Sequence, residues 1–162
     1  MTAVLVTGVS GTGKSFVLEE LARRGYRVVD TDYGDWSEWV TDSHGEADWI
    51  WHDARMTELL SSNEGVLFVS GCRSNQAAFY QWFDSIVLLT APAGVVLERV
   101  STRTNNGYGK SNDERAAIVR SISDVEPLLR TGASVVIDAT LTLIDVADRV
   151  EGIATGRRSR LR

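Results

Sequence analysis

Gly8-Val9-Ser10-Gly11-Thr12-Gly13-Lys14-Ser15 stands between an apolar run over residues 3–6 and a helix-like stretch that opens at Phe16. Glycines at positions 8, 11 and 13 let successive backbone N–H groups turn toward one point, and a helix beginning there adds the positive end of its dipole. In such a loop Lys14 reaches the β- and γ-phosphates of a nucleotide, and the Ser15 hydroxyl is placed to ligate Mg²⁺. The pattern is short, and its weight comes from the strand before it and the amphipathic helix after it. The reading predicts ATP or GTP, with Mg²⁺. Gly8, Ser10, Gly11, Thr12, Gly13, Lys14, Ser15 and Phe16 are its nucleotide contacts.

Working outward, apolar runs suited to strands covered on both faces recur at residues 26–29, 66–69, 86–89 and 135–137. Helical patterns lie between them. Residues 14–24 stop at Gly25, residues 49–60 space Ile50, Met56, Leu59 and Leu60 helically, and Pro92 opens a helix through Thr102. Ser111 and Glu114 make a capping box for a helix over about 112–124, Pro127 kinks or restarts it, and a last helix covers 143–153. Strands alternating with helices imply an α/β fold: one domain over residues 1–155, a five-stranded parallel sheet with helices on both faces.

A chain of 162 residues, 43% of them hydrophobic, suits one compact catalytic domain and is too small for a motor or transporter ATPase. The net charge of −5 argues against a general nucleic-acid-binding surface. Arg157, Arg158, Arg160 and Arg162 form a basic tail, read as a solvated and disordered end over residues 156–162. The single cysteine, Cys72, excludes an internal disulfide and any cysteine-cluster metal site. With no membrane-length apolar run and no signal peptide, a cytoplasmic location is expected.

In a parallel α/β sheet, ligands bind beyond the carboxyl ends of the strands. Asp30-Thr31-Asp32 follows the second apolar run and places two carboxylates at i and i+2, on one side of an extended strand end. One acid is suited to hold Mg²⁺, and the other to accept a hydrogen bond from a substrate hydroxyl.

These residues carry a resemblance. The phosphate loop, the Asp-x-Asp element and the helix-to-lid passage from Leu97-Glu98-Arg99 to Arg103 and the Asn/Gly-rich residues 104–110 resemble the shikimate kinase, gluconate kinase and nucleoside monophosphate kinase superfamily. The resemblance assigns Asp30 to the metal with Ser15, Asp32 to the acceptor hydroxyl, Arg99 to the adenine, and Arg103 to the phosphates from a lid over about 103–111. Lys110 is a further candidate lid cation, and Gly107 and Gly109 would give hinge freedom. Lys14, Asp32 and Arg103 are then the catalytic set, with ATP and Mg²⁺ as cofactors.

The acceptor is less legible. Ser70-Gly71-Cys72-Arg73-Ser74-Asn75 has neither the triple glycine of shikimate kinase nor the Asp-Gly-x-Pro-Arg of adenylate kinase, so neither substrate is assigned, although Arg73 is placed to hold an anionic group. Trp36, Trp39, Trp49 and Trp51 crowd the acceptor segment at about 33–64. Trp36 and Trp39, three apart, read as one helical face that packs in the core or walls a substrate. His44 and His52 lack metal-ligand spacing and read as structural. The expectation is a monomeric ATP- and Mg²⁺-dependent kinase acting on a hydroxyl of a small molecule. A nucleotide kinase and a non-catalytic ATP-binding module are the alternatives.

Overall fold

The structure, a computed structural model, describes residues 1–104 and 106–156. The basic tail expected to be disordered lies, apart from Gly156, outside the described residues. Five parallel strands form one sheet: β1 (Thr2–Thr7), β2 (Arg27–Asp30), β5 (Val66–Ser70), β6 (Ser85–Thr90) and β7 (Val135–Asp138), in the order β2-β5-β1-β6-β7. All five were legible as apolar runs: β1, β5 and β6 are buried on both faces, while the edge strands β2 and β7 keep their apolar run although Arg27 and Val136 are exposed. Along β1 the side chains alternate. Val4 and Val6 pack under α1 (Lys14–Arg23) and α6 (Leu143–Thr155), while Ala3 and Leu5 face the opposite layer with Trp51, Met56 and Phe79.

β1 is central, and its C-terminal end delivers the chain straight into the phosphate loop. On one side it pairs with β5, whose register sets Val6 against Ser70. β2 continues that edge with Asp30 against Ser70. The carboxyl ends of β1, β2 and β5 therefore meet where the loop begins, and β6 and β7 complete the rim with Thr90 against Asp138.

Between β2 and β5 the structure departs from the sequence reading. Residues 49–51 do not start a helix. They end β4 (Ala47–Trp51), which pairs antiparallel with β3 (Ser37–Thr41) as a two-stranded hairpin, and the helix α2 (Asp53–Ser61) follows. His52 caps it, its Nδ1 accepting from the Arg55 N–H at 3.4 Å. Trp36 and Trp39 accordingly share no helical face. Trp36 precedes β3, packs against the core and carries the Arg55 guanidinium 4.7 Å from its ring centroid, while Trp39 points out of the hairpin. Trp51 is fully buried and holds the base of the hairpin: its indole N–H donates to Thr31 Oγ1 at 2.9 Å, and Asn75 pairs with its backbone at both N–H and C=O, each at 3.0 Å.

Past the sheet, α3 (Ala93–Thr102) and α4 (Asn112–Asp124) close a small core of Val96, Val100 and Ile118, and α4 starts at the Ser111–Glu114 capping box. Pro127 restarts the chain as α5 (Glu126–Gly132). Lys110 is not a free lid cation. Its ammonium donates to the carbonyls of Val100, Ser101 and Arg103 at 2.7, 2.9 and 2.7 Å, satisfying acceptors at the end of α3 where a cation is favoured.

Candidate active site

The loop at residues 8–15 owes its shape to local sterics. Gly11 has φ +89°, and a Cβ there would lie 2.7 Å from Val100 and 2.9 Å from Val96, so the position needs glycine on both backbone and packing grounds. Thr12 Oγ1 donates to the Val9 carbonyl at 2.9 Å and holds the turn. Gly13 is the residue before α1, so the helix N-terminus opens on the loop. Lys14 lies beneath it with Nζ donating to the carbonyls of Gly8 and Val9 at 2.7 and 3.1 Å, and burial lowers its pKa below the usual lysine range. An ammonium kept dehydrated beside a concave row of N–H groups is a ready partner for phosphate oxygens.

The Asp-x-Asp element gets its geometry from the residue between the acids. Thr31 is fully buried, its hydroxyl donating to the Ser70 carbonyl at 2.7 Å and accepting from Trp51. With Thr31 fixed inward, the flanking carboxylates take separate partners. Asp30 Oδ2 accepts from the Ser15 hydroxyl at 2.6 Å. Asp32 Oδ1 accepts from Arg73 Nη2 at 2.7 Å. Arg73 is itself held, through Nη1 to the Cys72 carbonyl at 2.9 Å and Nε to Ser37 Oγ at 3.3 Å, with its side chain only 10% exposed.

A cleft of about 1010 Å³ spans the site. Residues 9–17 of the loop and first helical turn line it, with Asp32 and Arg73 toward the hairpin and Arg99 and Arg103 toward the other end. Arg99 Nη2 donates to the Ala139 carbonyl at 2.5 Å, joining α3 to the turn after β7. Arg103 Nη2 reaches Ser10 Oγ at 3.3 Å and the Tyr108 carbonyl at 2.6 Å, while its buried Nε has no partner among the described residues. Burial also lowers the Arg103 pKa. The expected lid over 103–111 includes Asn105, which lies outside the described residues.

The structure thus brings together Ser10, Gly11, Thr12, Gly13, Lys14, Ser15, Phe16, Asp32, Arg73, Arg99 and Arg103 around one cleft. Asp30 and Gly8 sit just behind the lining, touching it through Ser15 and Lys14. Trp36 does not line the cleft, and the tryptophans that do are Trp39 and Trp49. Trp49 was missed because it read as helix. Tyr108, Leu141 and Leu143 also line the cleft. Tyr108 falls in the segment read as a lid, and Leu141 follows the last strand; these positions were the signals available for this group.

These residues fit a nucleoside triphosphate and Mg²⁺. The backbone of the glycine loop, the dehydrated Lys14 and Arg103, which reaches Ser10 on the loop, line one part of the cleft and are the donors a phosphate chain would meet. Among the described residues no group of three or more His, Cys, Asp or Glu side chains gathers to hold a metal. That suits Mg²⁺, which takes one or two protein ligands and completes its shell with phosphate and water.

The AAA domain family matches residues 4–120. The chain belongs to the AAA domain family. Among the relatives of this AAA domain is a shikimate kinase of Halorhodospira halophila, 28% identical over 148 residues that cover 85% of this chain and 84% of that protein. Solved structures with a similar fold include a shikimate kinase from Acinetobacter baumannii in complex with shikimate, at TM-score 0.66 and 19% identity, covering 99% of this chain and 96% of that one. A gluconokinase from Sinorhizobium meliloti matches at TM-score 0.56 and 19% identity, over 96% and 93% of the two chains. The AAA domain described here therefore has the fold of the shikimate- and gluconate-kinase-like P-loop proteins. No helix among its described residues is long and apolar enough to cross a membrane.

Proposed function

We propose that this AAA domain is a kinase that transfers the γ-phosphoryl group of ATP to a hydroxyl of a small molecule, with Mg²⁺. The observation that carries the reading is the division of labour in Asp30-Thr31-Asp32: one carboxylate is bonded to the phosphate-loop serine and the other to Arg73 at the hairpin end of the cleft. A purely structural pair of strand-end acids has no need of that split.

ATP supplies the phosphoryl group, and Mg²⁺ neutralises charge on its oxygens. The chain's residues do the positioning. Ser15 and Asp30 would hold the metal, Lys14 and the loop N–H groups would bind phosphate oxygens, and Arg103 would add a cation where negative charge develops. Arg73 orients Asp32, which aligns the acceptor hydroxyl and accepts its proton. The acceptor oxygen bonds to the phosphorus, the bond to the β-phosphate breaks, and ADP leaves.

The test is Asp32→Asn, which keeps the shape and the Arg73 contact while removing the proton acceptor. Nucleotide binding is expected to survive within about threefold, while transfer falls by roughly 10²–10⁴. Asp30→Asn should instead raise the Mg²⁺ concentration required. Transfer by Asp32→Asn at the parental rate would remove the carboxylate from the mechanism and favour a phosphate acceptor.

A further inference from the structure

The β3–β4 hairpin occupies the stretch where an acceptor would sit, and its side chains state what kind of molecule fits. Ser37, Trp39, Trp49 and Trp51 share one face, because Ser37 pairs with Trp51 and Trp39 with Trp49 in the register. Ser37 bonds Arg73, and Arg73 bonds Asp32, so this face is continuous with the catalytic carboxylate. Farther out on the same face, Trp39 and Trp49 lie 5.0 Å apart at 48° and both line the cleft. Trp39 is 68% exposed, and Trp49 carries the Arg73 guanidinium 5.9 Å from its centroid. Two indoles at the mouth of a cleft, one with its face open, form a platform for a ring.

Charge narrows the choice. Among the described residues lining the hairpin end of the cleft, Arg73 is the one arginine, and it is already bonded to Asp32, Ser37 and the Cys72 carbonyl. Asp48 accepts at 2.5 Å from Ser74, which lines the cleft, and so brings a carboxylate next to the lining. Residues 30–53 hold eight carboxylates and no lysine or arginine. A carboxylate or phosphate laid on the hairpin would meet there an arginine already paired and a segment with an excess of carboxylates.

We infer that the acceptor is a ring-bearing alcohol without an anionic group, its ring face laid on Trp39 and its hydroxyl directed to Asp32. The inference rests on the proposed transfer reaction for the identity of the hydroxyl step, and on the hairpin alone for the ring and the charge. The ring is that of a nucleoside base or of a sugar, the two sources sharing a flat or CH-lined face that stacks on indole.

The test uses adenosine, cytidine, glucose and glucosamine against shikimate, gluconate and glycerol. Each is assayed for ADP release above the ATPase background and for quenching of tryptophan fluorescence in the parent and in Trp39→Ala. At least one ring alcohol should stimulate ADP release and quench fluorescence, and the responding pair, nucleosides or sugars, identifies the source. Trp39→Ala should raise the KM for that acceptor about tenfold, leave kcat within about twofold and leave the KM for ATP unchanged, with Trp39→Phe restoring most of the loss. Preference for shikimate, gluconate or glycerol, with Trp39→Ala unaltered, overturns the inference and leaves the transfer reaction standing. Ring alcohols that quench Trp39 without any ADP release sink the transfer reaction and leave the platform standing. No binding and no turnover with any ring alcohol overturns the platform.

Discussion

Lys14 shows how a single side chain can be stored in a state set for its partner. With 8% exposure and, among the described residues, hydrogen bonds from its ammonium to loop carbonyls alone, it is a charge whose burial is offset by neutral acceptors and by the nearby Asp32 and Asp30 carboxylates. Phosphate oxygens are stronger partners for it. Lys14→Ala is expected to leave the thermal transition near the parental value, because it removes a dehydrated charge, and to cost on the order of 3 kcal/mol in the transition state, roughly a hundredfold in rate. Calorimetric titration with a non-hydrolysable ATP analogue beside the melting curve checks both halves. Unchanged nucleotide affinity would remove the loop from nucleotide binding. Thr31 carries the complementary lesson: its burial aims Asp30 and Asp32, and a sequence pattern that names the two acids is silent about the residue that orients them.

At the scale of elements, α1 and α6 are joined by an ionic cluster at the end far from the phosphate loop. Arg24 donates to Glu151 at 2.6 Å and lies 2.8 Å from Asp148, Glu20 pairs with both Arg23 and Arg24, and Tyr26 donates to Glu151 at 3.1 Å. The hydrogen bond from Arg23, then that from Arg24, holds the Glu20 carboxyl below the usual range. A depressed carboxyl pKa contributes stability that is present above the unfolded value and is lost as pH falls through the folded one. The melting-temperature difference between the parent and Glu20→Gln is therefore expected to be full at neutral pH and to shrink as pH falls below 4.5. A difference constant with pH would mean that Glu20 acts through packing.

The five sheet strands were legible because each carries an apolar run, which burial on both faces requires of β1, β5 and β6, and the helix over 112–124 because its capping box is a local signal. The hairpin was not. Trp49, Ile50 and Trp51 fit a helical spacing with Met56, Leu59 and Leu60, and they fit an alternation equally well. Asp42-Ser43-His44-Gly45, with Gly45 at φ +80° and Asp42 accepting from the N–H groups of His44 and Glu46, is the turn that decides between them. At the other end of the cleft Arg99 and Arg103 were named through the resemblance, but their partners were hidden, since Arg99 meets Ala139 across 40 residues of sequence and only the sheet order brings the two together.

For the whole molecule, the central arrangement is a sheet whose strand ends meet at one cleft, with the phosphate loop in the middle, an arginine-bearing end toward α3 and an indole-bearing end toward the hairpin. On the proposed function such a cleft would hold a donor and an acceptor side by side, which a nucleotide-binding switch does not need. Phosphorus-31 NMR of the protein with ATP, Mg²⁺ and a panel of alcohols tests this most directly. The account expects ADP to appear together with a new phosphate-monoester resonance, both dependent on one class of acceptor and both suppressed in Asp32→Asn. ADP with inorganic phosphate alone, at a rate that no acceptor alters, would contradict it, as would tight ATP binding without turnover.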